Sequence, residues 1–136
     1  MKKIVLLFGF LSLFLVSACT HKAVPMSYVK TTLPNSYELC DMEEVILSAA
    51  LTRGFSVVSK NPQEIVLSYG RDENEENGYS ASIKVKYDSN SYEFIYVDST
   101  NLKYDASKQL IHPSYNRWIK NLDIEIKKLV TIKQTK

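Results

Sequence analysis

Tyr79-Ser80-Ala81-Ser82-Ile83-Lys84-Val85-Lys86-Tyr87, then Asp88-Ser89-Asn90-Ser91, then Tyr92-Glu93-Phe94-Ile95-Tyr96-Val97 is the stretch that decides the fold. Tyr79, Ala81, Ile83, Val85 and Tyr87 alternate strictly with Ser80, Ser82, Lys84 and Lys86. Successive side chains of a strand point to opposite faces, so this spacing predicts a strand with one buried and one wet face. With Ser89-Asn90 as a two-residue loop, Tyr87 stands opposite Tyr92, Val85 opposite Phe94 and Ile83 opposite Tyr96, while Lys86 meets Glu93 on the wet side. Apolar and charged partners agree on this register. Ile95 and Val97 fall on the wet face, which predicts partial cover there by the N-terminal segment or a partner.

Upstream, Glu64 to Tyr69 alternates in the same way, with Ile65, Leu67 and Tyr69 on one face. Phe55 to Ser59 is a shorter β-rich run, broken by Asn61-Pro62. Four strands in a meander follow. Between the second and third lies Arg71 to Gly78, which is apolar-free. Asp72, Asn74 and Glu76 alternate like calcium ligands, yet Asn77 stands where an EF-hand loop needs glycine and Ile83 where it needs an acid. An acidic hairpin loop is the reading.

Helices flank the strands. Asn35 or Ser36 can cap, with Glu38 three residues after Asn35, and Leu39, Met42, Val45, Ile46, Ala49 and Ala50 recur at helical spacing. Asp41, Glu43 and Glu44 near the start and Arg53 near the end suit the helix dipole, and Gly54 supplies a left-handed stop, so a helix is predicted over 37–53. Pro113 fits a first helical position, and Tyr115, Trp118, Ile119, Leu122, Ile126, Leu129 and Val130 form an apolar stripe over 113–131. Lys127, Lys128 and Lys133 crowd its end, where they suit the dipole or reach anionic lipid headgroups. The expected class is α+β: helix, four-stranded antiparallel meander, C-terminal helix, both helices packed on one face. One domain spans 37–132, with 133–136 as a tail.

The N-terminus speaks of address. Lys2 and Lys3 precede an apolar run from Ile4 to Val16, the layout of a secretory signal peptide. The run is shorter than the roughly 20 residues a membrane span needs, and Gly9 and Ser12 interrupt it. Leu15-Val16-Ser17-Ala18-Cys19 resembles the lipobox of bacterial lipoproteins. That resemblance implies residues 1–18 as signal peptide and Cys19 as the lipidated first mature residue, a membrane partner through its acyl chains. Thr20 stands where such proteins often carry a retaining Asp, which favours the periplasmic face of the outer membrane. Residues 19–36 then read as lipidated Cys and flexible tether, and the sixteen residues from Thr20 to Asn35, polar and carrying Pro25 and Pro34, are about 50 Å long if drawn out. The alternative for Tyr28, Val29 and Leu33 is an extra edge strand.

Loss of the first 18 of 136 residues leaves 118, enough for one cored domain, and Lys plus Arg falls from 17 to 15 against 15 acids. Neutrality argues against nucleic acid as a partner. With Cys19 acylated, Cys40 has no partner within the chain and reads as a small buried apolar residue.

No catalytic set assembles from the sequence. His21 and His112 are the histidines, too few for a multi-His zinc centre, and four glycines give no phosphate loop. No metal or cofactor is implied. The connection Ser99 to His112 is long, and such connections are functional or pinned by their own side chains. Tyr92-x-Phe-x-Tyr-x-Asp98-Ser-x-Asn101-Leu-x-Tyr104, then Ile111-His-Pro-Ser-Tyr115-Asn116-Arg-Trp118-Ile, resembles a pattern in small uncharacterised bacterial lipoproteins, as does Arg53-Gly54-Phe55. Phe94 and the acidic loop depart from that pattern, which brings no reaction or ligand with it. Asp98, Ser99, Asn101, His112 and Asn116 sit among apolar neighbours, so they either pin the connection to the last helix or, with Tyr104, Tyr115 and Trp118, line a binding recess. The expected function is a lipid-anchored, non-catalytic binding or assembly module engaging an envelope protein or small ligand. The alternatives are a small envelope hydrolase or transferase using His112, or an inhibitor of an exported enzyme.

Overall fold

The computed structural model describes residues 22–71 and 78–134. The expected signal peptide, Cys19, His21 and the calcium-like spacing at Asp72, Asn74 and Glu76 therefore lie outside the described residues. Along the chain run β1 (Val24–Pro25), β2 (Val29–Thr32), α1 (Leu39–Thr52), β3 (Ser56–Asn61), β4 (Glu64–Gly70), β5 (Ser80–Tyr87), β6 (Ser91–Thr100), β7 (Leu110–Ile111) and α2 (Pro113–Gln134).

β5 and β6 pair antiparallel with Tyr87 opposite Tyr92, Lys86 opposite Glu93, Val85 opposite Phe94 and Ile83 opposite Tyr96. Asp88 donates its N–H to the Ser91 carbonyl at 3.0 Å, closing the two-residue loop. The next pairs are Ser82 with Asp98 and Ala81 with Ser99, so Val97 is an extra residue on β6. This bulge resets which residues face inward, which is why the alternation stops at Asp98 in the sequence.

The fold is α+β with both helices on one face, but the large sheet has five strands in the order β2-β6-β5-β4-β3, and a two-stranded sheet joins β1 to β7. Of the extra strands, β1 and β2 come from the segment expected to be tether, and β7 from the connection after β6. Val29 lies opposite Phe94 and Thr31 opposite Tyr92, so β2 covers the β6 edge that a four-stranded meander would leave open. One apolar residue in four, with Pro25 and Pro34 nearby, hides this strand from periodicity. Its pairing comes from the neighbour's free N–H and C=O groups.

Met42, Val45, Ile46, Ala49 and Ala50 of α1 and Tyr115, Trp118, Ile119, Leu122, Ile126 and Val130 of α2 are buried against Ile65, Leu67, Ile83, Val85, Tyr92 and Phe94 of the sheet. Gly54, at φ 82°, ends α1: it donates to the Leu51 carbonyl at 3.2 Å and Phe55 donates to Ala50 at 2.8 Å, a Schellman closure. The predicted start differs. Glu38 is the N-cap and makes no side-chain cap bond, while Tyr37 N–H is held by the Ser89 carbonyl at 2.7 Å. Tertiary bonding thus sets the entry instead of a capping box. Cys40 is exposed, not buried. It lies two residues before Met42, about 160° round the helix from the apolar stripe.

Candidate functional site

β6, the connection after it and the first two turns of α2 position the eight predicted residues. Tyr96, inward on β6, is their centre: Tyr104 stacks on it with ring centroids 4.1 Å apart, Tyr115 meets it edge-on at 5.9 Å, and its hydroxyl shares a 2.6 Å hydrogen bond with Ser99. Burial, with Tyr96 and Tyr104 adding to it, pushes the Tyr115 phenol above its ordinary range. Burial also raises Tyr96, so Tyr96 and Tyr115 meet as neutral groups.

The other members work locally. Asp98 is exposed, and its Oδ1 accepts the Ser99 N–H at 2.8 Å. Asn101 takes a left-handed backbone at φ 58° and donates Nδ2 to the Gly78 carbonyl at 2.5 Å, tying the connection to the loop before β5. Trp118 lies between Tyr69, at 4.6 Å, and Tyr79, at 5.7 Å. His112 immediately precedes α2, and its Nδ1 accepts the Ser114 N–H at 3.0 Å, the geometry of an N-cap side chain. Its own N–H donates to the Leu102 carbonyl at 2.7 Å. Asn116 turns the other way: Nδ2 donates to the Pro25 carbonyl at 2.9 Å and Oδ1 accepts the Ser27 N–H at 2.8 Å.

Tyr104, Tyr115 and Ser99 are thus gathered around Tyr96, and Asn101 and Trp118 around Gly78 and Tyr79. Asn116 instead fastens the N-terminal segment to α2. It also lines a groove of about 420 Å³ with Ser27, Val29, Arg117, Ile119, Lys120 and Asp123.

Sequence reasoning missed two polar nodes. Asp123 on α2 accepts the Tyr92 hydroxyl at 2.6 Å, the Thr31 hydroxyl at 2.9 Å and Lys127 Nζ at 2.8 Å, joining β2, β6 and the helix. Burial, and then the hydrogen bond to Asp123, raise the Tyr92 phenol far above its ordinary range. Glu125 is only 4% exposed and takes Arg53, the residue that caps the C-terminus of α1, at 3.2 Å. Its position within the Leu122-to-Leu129 stripe was the available signal, since a carboxylate at that spacing must find a cation inside. Lys133, expected in a tail, is in α2 and binds Asp41 at 3.0 Å and Glu44 at 3.1 Å, both of α1.

Among the described residues no group of three or more His, Cys, Asp and Glu is placed to hold a metal, and no helix is long and apolar enough to cross a membrane. Compared with protein-family models and with curated proteins, the chain matches none.

Proposed function

We propose that the protein is an envelope lipoprotein held to its membrane through Cys19, and that the domain is a non-catalytic binding or assembly module. The observation that carries this is Leu15-Val16-Ser17-Ala18-Cys19 behind a basic head and an apolar run. Two features support it. Asn101, His112 and Asn116 spend polar atoms on hydrogen bonds that hold loops and a helix start, which suits a rigid binding surface better than a reacting centre. β1 begins five residues after Cys19, a span of at most about 18 Å. The domain then rides close to the bilayer, where a 16-residue tether would let it stand off.

Metabolic labelling with a palmitate analogue tests the anchor. The full-length protein should incorporate label and fractionate with membranes, and Cys19→Ser should lose both properties. A wild-type chain without label would overturn the lipoprotein reading.

A further inference from the structure

The outward side of α2 combines cations with exposed apolar residues. Tyr115, Trp118, Ile119, Leu122, Ile126 and Val130 face the core. On the opposite side, at helical spacing, stand Arg117, Lys120, Ile124, Lys127, Lys128 and Ile132, all exposed. The two carboxylates of the helix are turned away from this face: the side chain of Asp123 is 14% exposed and that of Glu125 5%. Lys127 reaches Asp123 at 2.8 Å and Lys128 lies 3.9 Å from Glu125, whereas Arg117 meets the Ser114 hydroxyl at 3.2 Å and, among the described residues, no carboxylate. On neighbouring α1, Asp41 and Glu44 are engaged by Lys133. The face is therefore cationic, with two isoleucines, 46% and 44% exposed, set among the charges.

The chain's route says what lies against it. Asn116 binds both Pro25 and Ser27, so the N-terminal segment leaves the domain beside the first turn of α2, with exposed Lys22 on the way out. Six residue steps separate Cys19 from Pro25, and an acylated Cys19 would keep Pro25, and with it the helix end it is bonded to, within about 22 Å of the bilayer. A helix of 22 residues is about 33 Å long, and pivoting about its first turn can lay its whole length on the surface.

We infer that the outward face of α2, Arg117 to Ile132, lies on the anionic surface of the membrane that holds the lipid anchor. The inference rests on the lipoprotein reading above. Lysine and arginine stems bury along the headgroup region while their charges meet phosphate, and Ile124 and Ile132 enter the acyl boundary. The opposite face of the sheet, with Val97, then points into the periplasm.

The test uses the full-length chain in a Cys40→Ser background, purified from membranes and reconstituted into vesicles carrying nitroxide lipids. A fluorophore is placed at Ile124→Cys or, separately, at Val97→Cys. In vesicles of phosphatidylcholine with phosphatidylglycerol, quenching should be several-fold stronger at 124 than at 97. It should fall in phosphatidylcholine alone, at high salt, and in an Arg117→Gln, Lys120→Gln variant, where two lost cations weaken the surface attraction on the order of 25-fold. Thermal melts of each variant verify folding. Equal quenching at the two sites, stronger quenching at 97, or quenching indifferent to lipid charge would overturn the inference and leave the anchor standing. Purified protein lacking acyl mass, with its Cys19 open to the fluorophore, would instead overturn the lipoprotein reading itself.

Discussion

His112 shows how a residue that catches the eye in a sequence can be spent on structure. Its Nδ1 accepts the N–H of Ser114, one of the orphan donors at the start of α2. His112→Ala should lower stability by about 1 kcal/mol, read as a drop in melting temperature, whereas His112→Asn, which keeps an acceptor at the cap, should restore most of it. A drop of the same size in both variants would show that the cap is not the cause. Glu125 is the costlier residue. Buried at 4% exposure, it depends on Arg53, whose side chain is 38% exposed. Arg53→Ala leaves a carboxylate without its close cation and should cost about 2 kcal/mol, less than a fully buried pair because solvent reaches the guanidinium. Replacing Glu125 by Leu in the same chain should recover most of that loss in denaturant melts. Had the residue been read by its spacing in the α2 stripe alone, it would have been taken for a core position, which it is.

At the level of elements, β5 and β6 are paired on both edges while β3 is paired only with β4. Amide hydrogen exchange should accordingly be slowest in 81–87 and 92–96, and fastest among the N–H groups of β3 that face away from β4. Gly70, at the end of β4, has φ 124°, and a Cβ there would stand 2.1 Å from the Tyr79 carbonyl. Gly70→Ala should therefore cost more than 2 kcal/mol, measured by denaturant unfolding, since both conformation and space refuse it. The central hairpin was legible because its pattern is local: alternation, a two-residue turn and a Lys86–Glu93 pair lie within 19 residues of sequence. β2 was legible only as the alternative edge strand through Tyr28, Val29 and Leu33, because Val29-Lys30-Thr31-Thr32 carries little pattern and is a strand only through what lies beside it. The end of α2 was underestimated for a similar reason, as Lys133 is held in register by Asp41 and Glu44 of another helix. The candidate site was legible as a set of residues under constraint. How they divide, with Asn116 turned to the N-terminal segment and the tyrosines gathered at Tyr96, depends on contacts the order of residues does not contain.

For the whole molecule, acid and alkali act on different groups. Asp105 is held below its ordinary 3.8 by the Ser107 hydroxyl and the Lys108 N–H, and Asp88 by the Asn90 N–H and then the Ser91 hydroxyl. A carboxyl depressed in the folded state stabilises above its unfolded value, and that contribution fades as pH falls through the folded one. Tyr92 and Tyr115 are raised from 10.0, so their contribution is whole below that value and is lost as pH rises beyond it. The melting temperature should be flat between about 5 and 9 and fall on both sides. Asp105→Asn should flatten the acid limb and Tyr92→Phe the alkaline limb; unchanged limbs would assign them to other groups.

The docking of the N-terminal segment also governs the order in which the molecule is finished. Ser27 waits for Asn116, 89 residues later, and Pro25 for the same side chain 91 residues on. A chain made N-terminus first thus carries β1 without β7 and β2 without β6 until those later strands arrive, and the Asn116 clasp on Pro25 and Ser27 comes last of all. The central hairpin can form early from neighbours, but the edge of β6 stays bare until β2, far upstream in the chain, docks on it, and such long-range closure is slow. During that interval a holding chaperone has an unpaired strand edge to grip.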